Sequence, residues 1–189
     1  MNKNVGLFFG TFDPLHNGHI AIAKYFLNEL NLDQIWIVIT PISPFKQANK
    51  LTNYYTRFKI INNYCKKNSK IICSDVEFNL KPPYNTSDTL MHLNKEFPKT
   101  NFKIILGEDN LNTLHSWSNH ELILEHKICV YPRKSLSKEK SKLINHPNVN
   151  LYNAPIMEIS STLIRKNILE KTSISHLVPK EIEEMLIEK

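Results

Sequence analysis

Two histidines three residues apart, His16 and His19, lie in the segment Gly10-Thr11-Phe12-Asp13-Pro14-Leu15-His16-Asn17-Gly18-His19. On a helical turn that spacing projects both imidazoles to the same side. Gly18, between them, removes a side chain and lets a ligand approach the backbone. The N–H groups at the start of the helix that follows attract anions. Imidazole donors, backbone donors and no bulky obstruction together suit a phosphate. A lone His-x-x-His pair more often caps a helix or fills a core, and a metal site would need a third ligand that no useful spacing supplies. The preceding Gly-Thr-Phe-Asp-Pro favours the chemical reading.

A second group of polar residues stands near the C-terminus. Ser160, Ser161 and Thr162 offer hydroxyls and backbone N–H groups where a helix should begin, which is either a plain N-cap or another phosphate site. Arg165 falls one turn later on the same side, and its planar fork matches phosphate oxygens. Lys46, in a loop bounded by Pro41 and Pro44, is either a point charge for a phosphate or a solvated surface lysine. Asp109 follows a strand end, where it either accepts from a ribose hydroxyl or caps a helix.

The elements that must hold these residues alternate between apolar runs and helical periodicity. Val5-Gly6-Leu7-Phe8-Phe9, ending at Gly10, predicts a strand buried on both faces. Ile20, Ala23, Leu27 and Leu30 recur at helical spacing, so a helix should open across His16 to His19. Further strands are expected at 34–40, 70–76, 102–107, 127–131 and 149–152. Helices are expected at 55–66, 87–97, 109–114, 118–125, 161–170 and 179–188, with 133–142 an exposed charged loop or frayed helix. This alternation implies an α/β fold of the Rossmann-like doubly wound type, a mainly parallel sheet with helices on both faces. Ligands of such folds sit beyond the carboxyl ends of the strands, at the topological switch point. No internal repeat or long linker is present, so residues 1–189 read as one domain with a small helical part at about 155–189.

Composition sets bounds without choosing a function. The 189 residues are 41% hydrophobic and 22% charged, ordinary for a globular chain. Lys and Arg total 24 against 18 Asp and Glu, a formal charge of +6. That excess favours anionic partners, either nucleic acid or phosphate-bearing small molecules, or it is compositional bias in a chain rich in Lys, Asn and Ile. Cys65, Cys73 and Cys129 form no C-x-x-C pair, which disfavours a disulfide framework or zinc knuckle. The first residues lack the apolar run of roughly 7–15 residues of a secretory signal, and no stretch approaches ~18 apolar residues. The expectation is a reduced, cytoplasmic protein without membrane contact.

The motifs carry a resemblance that extends from Gly6 to about Ile187. With its His-Asn-Gly-His, the sequence resembles the nucleotidyltransferase superfamily that shares a His-x-Gly-His signature with class I aminoacyl-tRNA synthetases. Within it, the chain is most similar to bacterial nicotinate-nucleotide adenylyltransferases. That family reads Gly-Gly-[Ser/Thr]-Phe-Asp-Pro-x-His-x-Gly-His, and here Phe9 stands at the first glycine. Pro44-Phe45-Lys46 and Arg57 are further matches. Tyr84-Asn85-Thr86-Ser87-Asp88-Thr89-Leu90 is similar to the family's Ser-Tyr-Thr-x-Asp-Thr-Leu, departing at Tyr84 and Asn85. Gly107-Glu108-Asp109 with Leu114 and Trp117, Ile159-Ser-Ser-Thr-Leu-Ile-Arg165, and Leu177-Val178-Pro179 complete the series.

The resemblance implies transfer of an adenylyl group from ATP to nicotinate mononucleotide, giving deamido-NAD and pyrophosphate. It implies His16, His19 and Arg165 as catalytic residues. Gly10, Thr11, Phe12, Gly18, Gly107, Asp109, Ser160, Ser161 and Thr162 would join them around ATP. Lys46, Tyr84, Thr86 and Trp117 would hold the pyridine nucleotide, Trp117 by stacking. Mg2+ would arrive on the ATP phosphates rather than in a protein cage. The nearest alternatives are other nucleotidyltransferases, acting on nicotinamide mononucleotide, phosphopantetheine or glycerol phosphate; the Gly107–Trp117 block and the length disfavour the last two. A small RNA-binding or tRNA-charging protein fits the charge and the Lys134-Ser-Leu-Ser-Lys138 run. Room for an anticodon module is lacking and arginines are few, so no nucleic-acid partner is expected.

Overall fold

A computed structural model describes residues 2–42, 51–133 and 141–187. Six parallel strands form one sheet in the order β3-β2-β1-β4-β5-β6. They are β1 (Lys3–Gly10), β2 (Gln34–Ile39), β3 (Ile71–Ser74), β4 (Thr100–Gly107), β5 (Lys127–Tyr131) and β6 (Val149–Leu151). Helices α1 (Asn17–Glu29), α2 (Tyr54–Cys65), α3 (Thr86–Glu96), α4 (Glu108–Thr113), α5 (His120–Leu124), α6 (Ser161–Leu169) and α7 (Lys180–Ile187) connect and follow them. This is the doubly wound Rossmann strand order, with its switch point between β1 and β4. Among the described residues no helix is long and apolar enough to cross a membrane.

Strand alternation sorts the apolar side chains into two cores. Phe8 joins Ile20, Ala23 and Phe26 of α1, Ile60 and Ile61 of α2, Ile164 of α6 and Ile182 of α7 on one face. Val5 and Leu7 join Leu90 and Leu93 of α3, Leu111 of α4 and Ile123 of α5 on the other. Period-2 alternation in β1 therefore feeds both layers, which is why the strand reads as a continuous apolar run.

The ends of several elements differ from the expectations in informative ways. His16 is the N-cap of α1, outside the helix, with extended backbone at φ −142° and ψ 170°. The expected strand at 70–76 stops at Ser74, and Val76–Asn79 forms a 3-10 turn. The expected helix at 109–114 begins one residue earlier, and a 3-10 turn, Leu114–Ser116, prolongs it. The expected helix at 118–125 is reduced to His120–Leu124, because Asn119 adopts left-handed backbone before it.

The 3-10 turn buries Glu77, whose Oε1 accepts from Thr89 Oγ1 at 2.9 Å while Oε2 lacks a hydrogen-bond partner. Burial pushes its carboxyl up from 4.5 to about 7, against hydrogen bonds from Thr89 and Thr40 that favour the anion. A raised pKa means stability fully present below pH 4.5, where folded and unfolded chains both carry the proton. That stability is lost as pH rises through about 7, on the order of 3 kcal/mol. Glu77→Gln, which holds no charge, should gain stability relative to the unaltered protein between pH 5 and pH 8. Thermal melts of both across that range test it; a difference that does not change with pH sinks the assignment.

Candidate active site

A cavity of about 960 Å³ opens beyond the carboxyl ends of the strands. Its walls come from the end of β1, the start of α1, the start of α4, the end of β5 and the segment running from Pro155 into α6. Of the residues expected around ATP, Gly10, Thr11, Phe12, His16, Gly18, His19, Asp109, Ser160, Ser161, Thr162 and Arg165 all line it.

The two imidazoles hold each other in place. His16 Nδ1 accepts from the His19 backbone N–H at 3.4 Å, and His19 Nδ1 accepts from the His16 N–H at 3.3 Å. This reciprocal box replaces the usual Ser/Thr and Glu pair of a capping box. The rings stack at 3.6 Å between centroids, tilted by 23°. Phe12 meets His19 edge-on at 5.0 Å, and Phe8 does so at 6.0 Å. With Nδ1 accepting, each ring carries its N–H at Nε2. Burial, and then the positive charge of Arg133, lower the His16 pKa to about 4, so His16 donates as a neutral imidazole at neutral pH.

The glycines that line the cavity also make room for the neighbouring rings. A Cβ on Gly18 would lie 3.1 Å from the His16 ring, so Gly18 makes room for that imidazole. A Cβ on Gly10 would lie 2.9 Å from the Phe12 ring. The left-handed residue of the turn is Phe12, at φ 44°, and not Gly10. Gly107 does not line the cavity; a Cβ there would collide with the Asp109 carboxylate and crowd the Tyr131 ring.

At the other wall, Ser160 caps α6, its Oγ accepting from the Leu163 N–H at 3.1 Å. The N-cap reading of the Ser-Ser-Thr segment holds, and the capping residues also line the cavity. Ser161 Oγ donates to Pro14 O at 2.9 Å. Arg165 Nη1 donates to Asp13 O at 2.6 Å and Nη2 to Thr162 Oγ1 at 3.2 Å. These bonds tie α6 to the loop after β1, and each Nη carries a second N–H beyond them. The N-terminal ends of α1 and α6 thus both border one cavity, with Arg133 and Arg165 beside them, a strongly anion-attracting arrangement.

Sequence reasoning missed two arginines here. Arg133, expected in an exposed charged loop, borders the cavity just beyond β5 and reaches Asp109 Oδ2 at 3.5 Å and Tyr131 Oη at 3.4 Å. Its signal was available: residues just past parallel strands face the ligand crevice. Asp109 is not a helix cap, because Gly107 occupies that position of α4. Arg57, noted only as a motif match, is buried, and its guanidinium donates to the carbonyls of Thr11, Thr40, Pro41 and Thr52. It pins the loops after β1 and β2 that frame the crevice.

The residues expected around the pyridine nucleotide are distributed differently. Lys46, like the Lys134–Lys138 run, lies outside the described residues. Tyr84 has left-handed backbone at φ 59°, two residues before Thr86 opens α3. Trp117 follows the 3-10 turn after α4, partly buried against the core of the α3–α5 face. None of Tyr84, Thr86 and Trp117 lines the cavity. Thr86 opens α3 and Trp117 packs on the α3–α5 core, whereas α1 and α6 pack on the opposite face.

Such a crevice, lined by two imidazoles, two arginines and the starts of two helices, lies at the switch point of a Rossmann-like sheet. Residues 7–167 match the cytidylyltransferase-like family model. A probable nicotinate-nucleotide adenylyltransferase of Flavobacterium psychrophilum is 44% identical over 94% of this chain and 93% of its own. A solved Plasmodium falciparum nicotinic acid mononucleotide adenylyltransferase complexed with NaAD shares the fold, with a TM-score of 0.81 at 24% identity over 98% of this chain and 95% of its own. The same enzyme complexed with APC aligns at 0.78 and 27% identity, with the same coverage. The chain belongs to the nicotinate-nucleotide adenylyltransferase family.

Proposed function

We propose that the protein transfers the adenylyl group of ATP to nicotinate mononucleotide, giving deamido-NAD and pyrophosphate. The observation that carries this reading is the meeting of His16, His19, Arg133 and Arg165 with the starts of α1 and α6 around one cavity. A phosphate oxygen of the acceptor attacks the α-phosphorus in line, and the bond from that phosphorus to the α,β-bridging oxygen breaks. The reaction needs no side-chain nucleophile; positioning and charge stabilisation suffice. His16 and His19 donate from Nε2 to phosphate oxygens as charge builds there. Arg165 and the α6 N-terminus hold the departing pyrophosphate, while Arg133 faces the phosphates from the β5 side.

Mg2+ would enter this site as a companion of the triphosphate. Among the described residues no group of three or more His, Cys, Asp and Glu side chains gathers to hold an ion. Asp109, a cavity carboxylate, is paired with Arg133. A hard cation that keeps its waters and takes phosphate oxygens would need no more from the chain, and would supply charge neutralisation for the leaving group.

The acceptor side rests on family membership together with Tyr84, Thr86 and Trp117, placed where α3 begins and α4 ends. Backbone N–H groups at the start of α3 suit a carboxylate. The kcat/KM for nicotinate mononucleotide is therefore expected to exceed that for nicotinamide mononucleotide at least tenfold. That ratio corresponds to ~1.4 kcal/mol, within reach of one hydrogen bond to a charged group. Pyrophosphate release measured with both acceptors side by side is the test, and equal or reversed values overturn the assignment.

A further inference from the structure

The family pattern has glycine where this chain has Phe9, and the structure gives that ring a definite location. Phe9 is the penultimate residue of β1, paired in register with Val38 of β2. Alternation along β1 turns it to the same side as Val5 and Leu7, and it packs against the core of the α3–α5 face. Trp117 packs against that same core. Phe9 is nevertheless only partly buried, and it lines the cavity next to Gly10. Since β1 borders the switch point, this phenyl ring stands at the border between the cavity holding the histidines and the side carrying Trp117 and the start of α3.

A glycine there leaves the crevice floor bare backbone, whereas a phenyl ring adds a flat apolar surface to a recess that Phe8, Phe12 and Tyr131 also line. Such a surface gains most from a planar ring laid against it or meeting its edge. Two rings enter the proposed reaction, the adenine of ATP and the pyridine of the acceptor. Of the elements bordering the cavity, α1 and α6 pack on the opposite face of the sheet, whereas α4 packs on the face toward which Phe9 points, the face that also carries Trp117. We infer that Phe9 is a specificity-determining residue that contacts the pyridine ring of the acceptor nucleotide from the sheet side, a contact a glycine cannot supply. The inference rests on the proposed acceptor.

The test is steady-state kinetics of the unaltered protein, Phe9→Gly, Phe9→Leu and Phe9→Tyr, with circular dichroism and melting curves for each. Removing the ring should raise KM for nicotinate mononucleotide about fivefold to tenfold, the usual scale of one aromatic contact. KM for ATP and kcat should stay within about twofold to threefold. Phe9→Leu fills a similar volume without a ring and should show a smaller rise in the same KM, which decides the matter if Phe9→Gly does not fold. Phe9→Tyr should restore the unaltered value. A rise confined to the KM for ATP, or unchanged KM values in the folded glycine and leucine variants, overturns the inference while leaving the proposed activity standing. An unaltered protein inactive with either pyridine nucleotide removes the proposed activity and this inference with it.

Discussion

His19→Ala is expected to lower kcat by roughly 10²–10³, or ~3–4 kcal/mol, with a much smaller change in ATP binding. The reason is geometric. His19 Nδ1 is occupied by the His16 backbone N–H, so the ring presents its N–H at Nε2. The stacked His16 ring and the edges of Phe8 and Phe12 restrict its orientation. A donor fixed before the reaction costs no reorganisation as charge moves onto the phosphate oxygens, so its worth is realised in the transition state. The substitution also removes one half of the reciprocal cap on α1, which costs about 1 kcal/mol of stability. His19→Asn separates the two contributions, since its short amide can accept at a helix start without reproducing Nε2. Single-turnover rates with melting curves make the comparison; an unaltered kcat in folded His19→Ala reduces His19 to a cap.

Arg165→Ala is expected to lower kcat/KM for ATP by about 10²-fold, and Arg165→Lys by about tenfold, although lysine keeps the charge. Arg165 has two tasks. Its bonds to Asp13 O and Thr162 Oγ1 join α6 to the loop after β1, and its remaining N–H groups border the cavity. A lysine supplies a point charge but cannot span both partners and a phosphate with one planar group. The KM for ATP should rise more than the KM for the pyridine nucleotide, because α6 borders the triphosphate side of the proposed arrangement. Paired KM measurements on variants shown to be folded are the check. A defect confined to the pyridine nucleotide would place Arg165 on the other substrate.

The doubly wound sheet was legible because its signals are local. β-Branched and aromatic runs mark buried parallel strands, and helical spacing marks the connections between them. Helix ends were less legible where a side chain competes with the backbone, as at His16, which caps α1 instead of entering it. The two segments that meet at the cavity were legible because the Gly10–His19 turn and the Ser-Ser-Thr cap are contiguous motifs, each beside a helix start. The place of Arg133 just past a strand was a readable signal, but its pairing with Asp109 was not, because nothing near it in sequence says that β5 ends beside β4. The bonding of Arg57 was not legible either, since its four carbonyl partners come from loops up to 46 residues away.

By itself the sequence determined the strand and helix types, the two segments rich in phosphate donors and the family. All of these depend on residue type and short spacing. Only the tertiary structure decided that His16 and His19 cap one another, that Gly10 and Gly18 yield space to the Phe12 and His16 rings, and that Arg133 lines the cavity. It also separated Phe9 and Trp117 from the face where α1 and α6 pack. The physical reason is that a doubly wound sheet brings together the ends of strands far apart in the chain. The contacts made there follow from strand order and from which face each side chain takes.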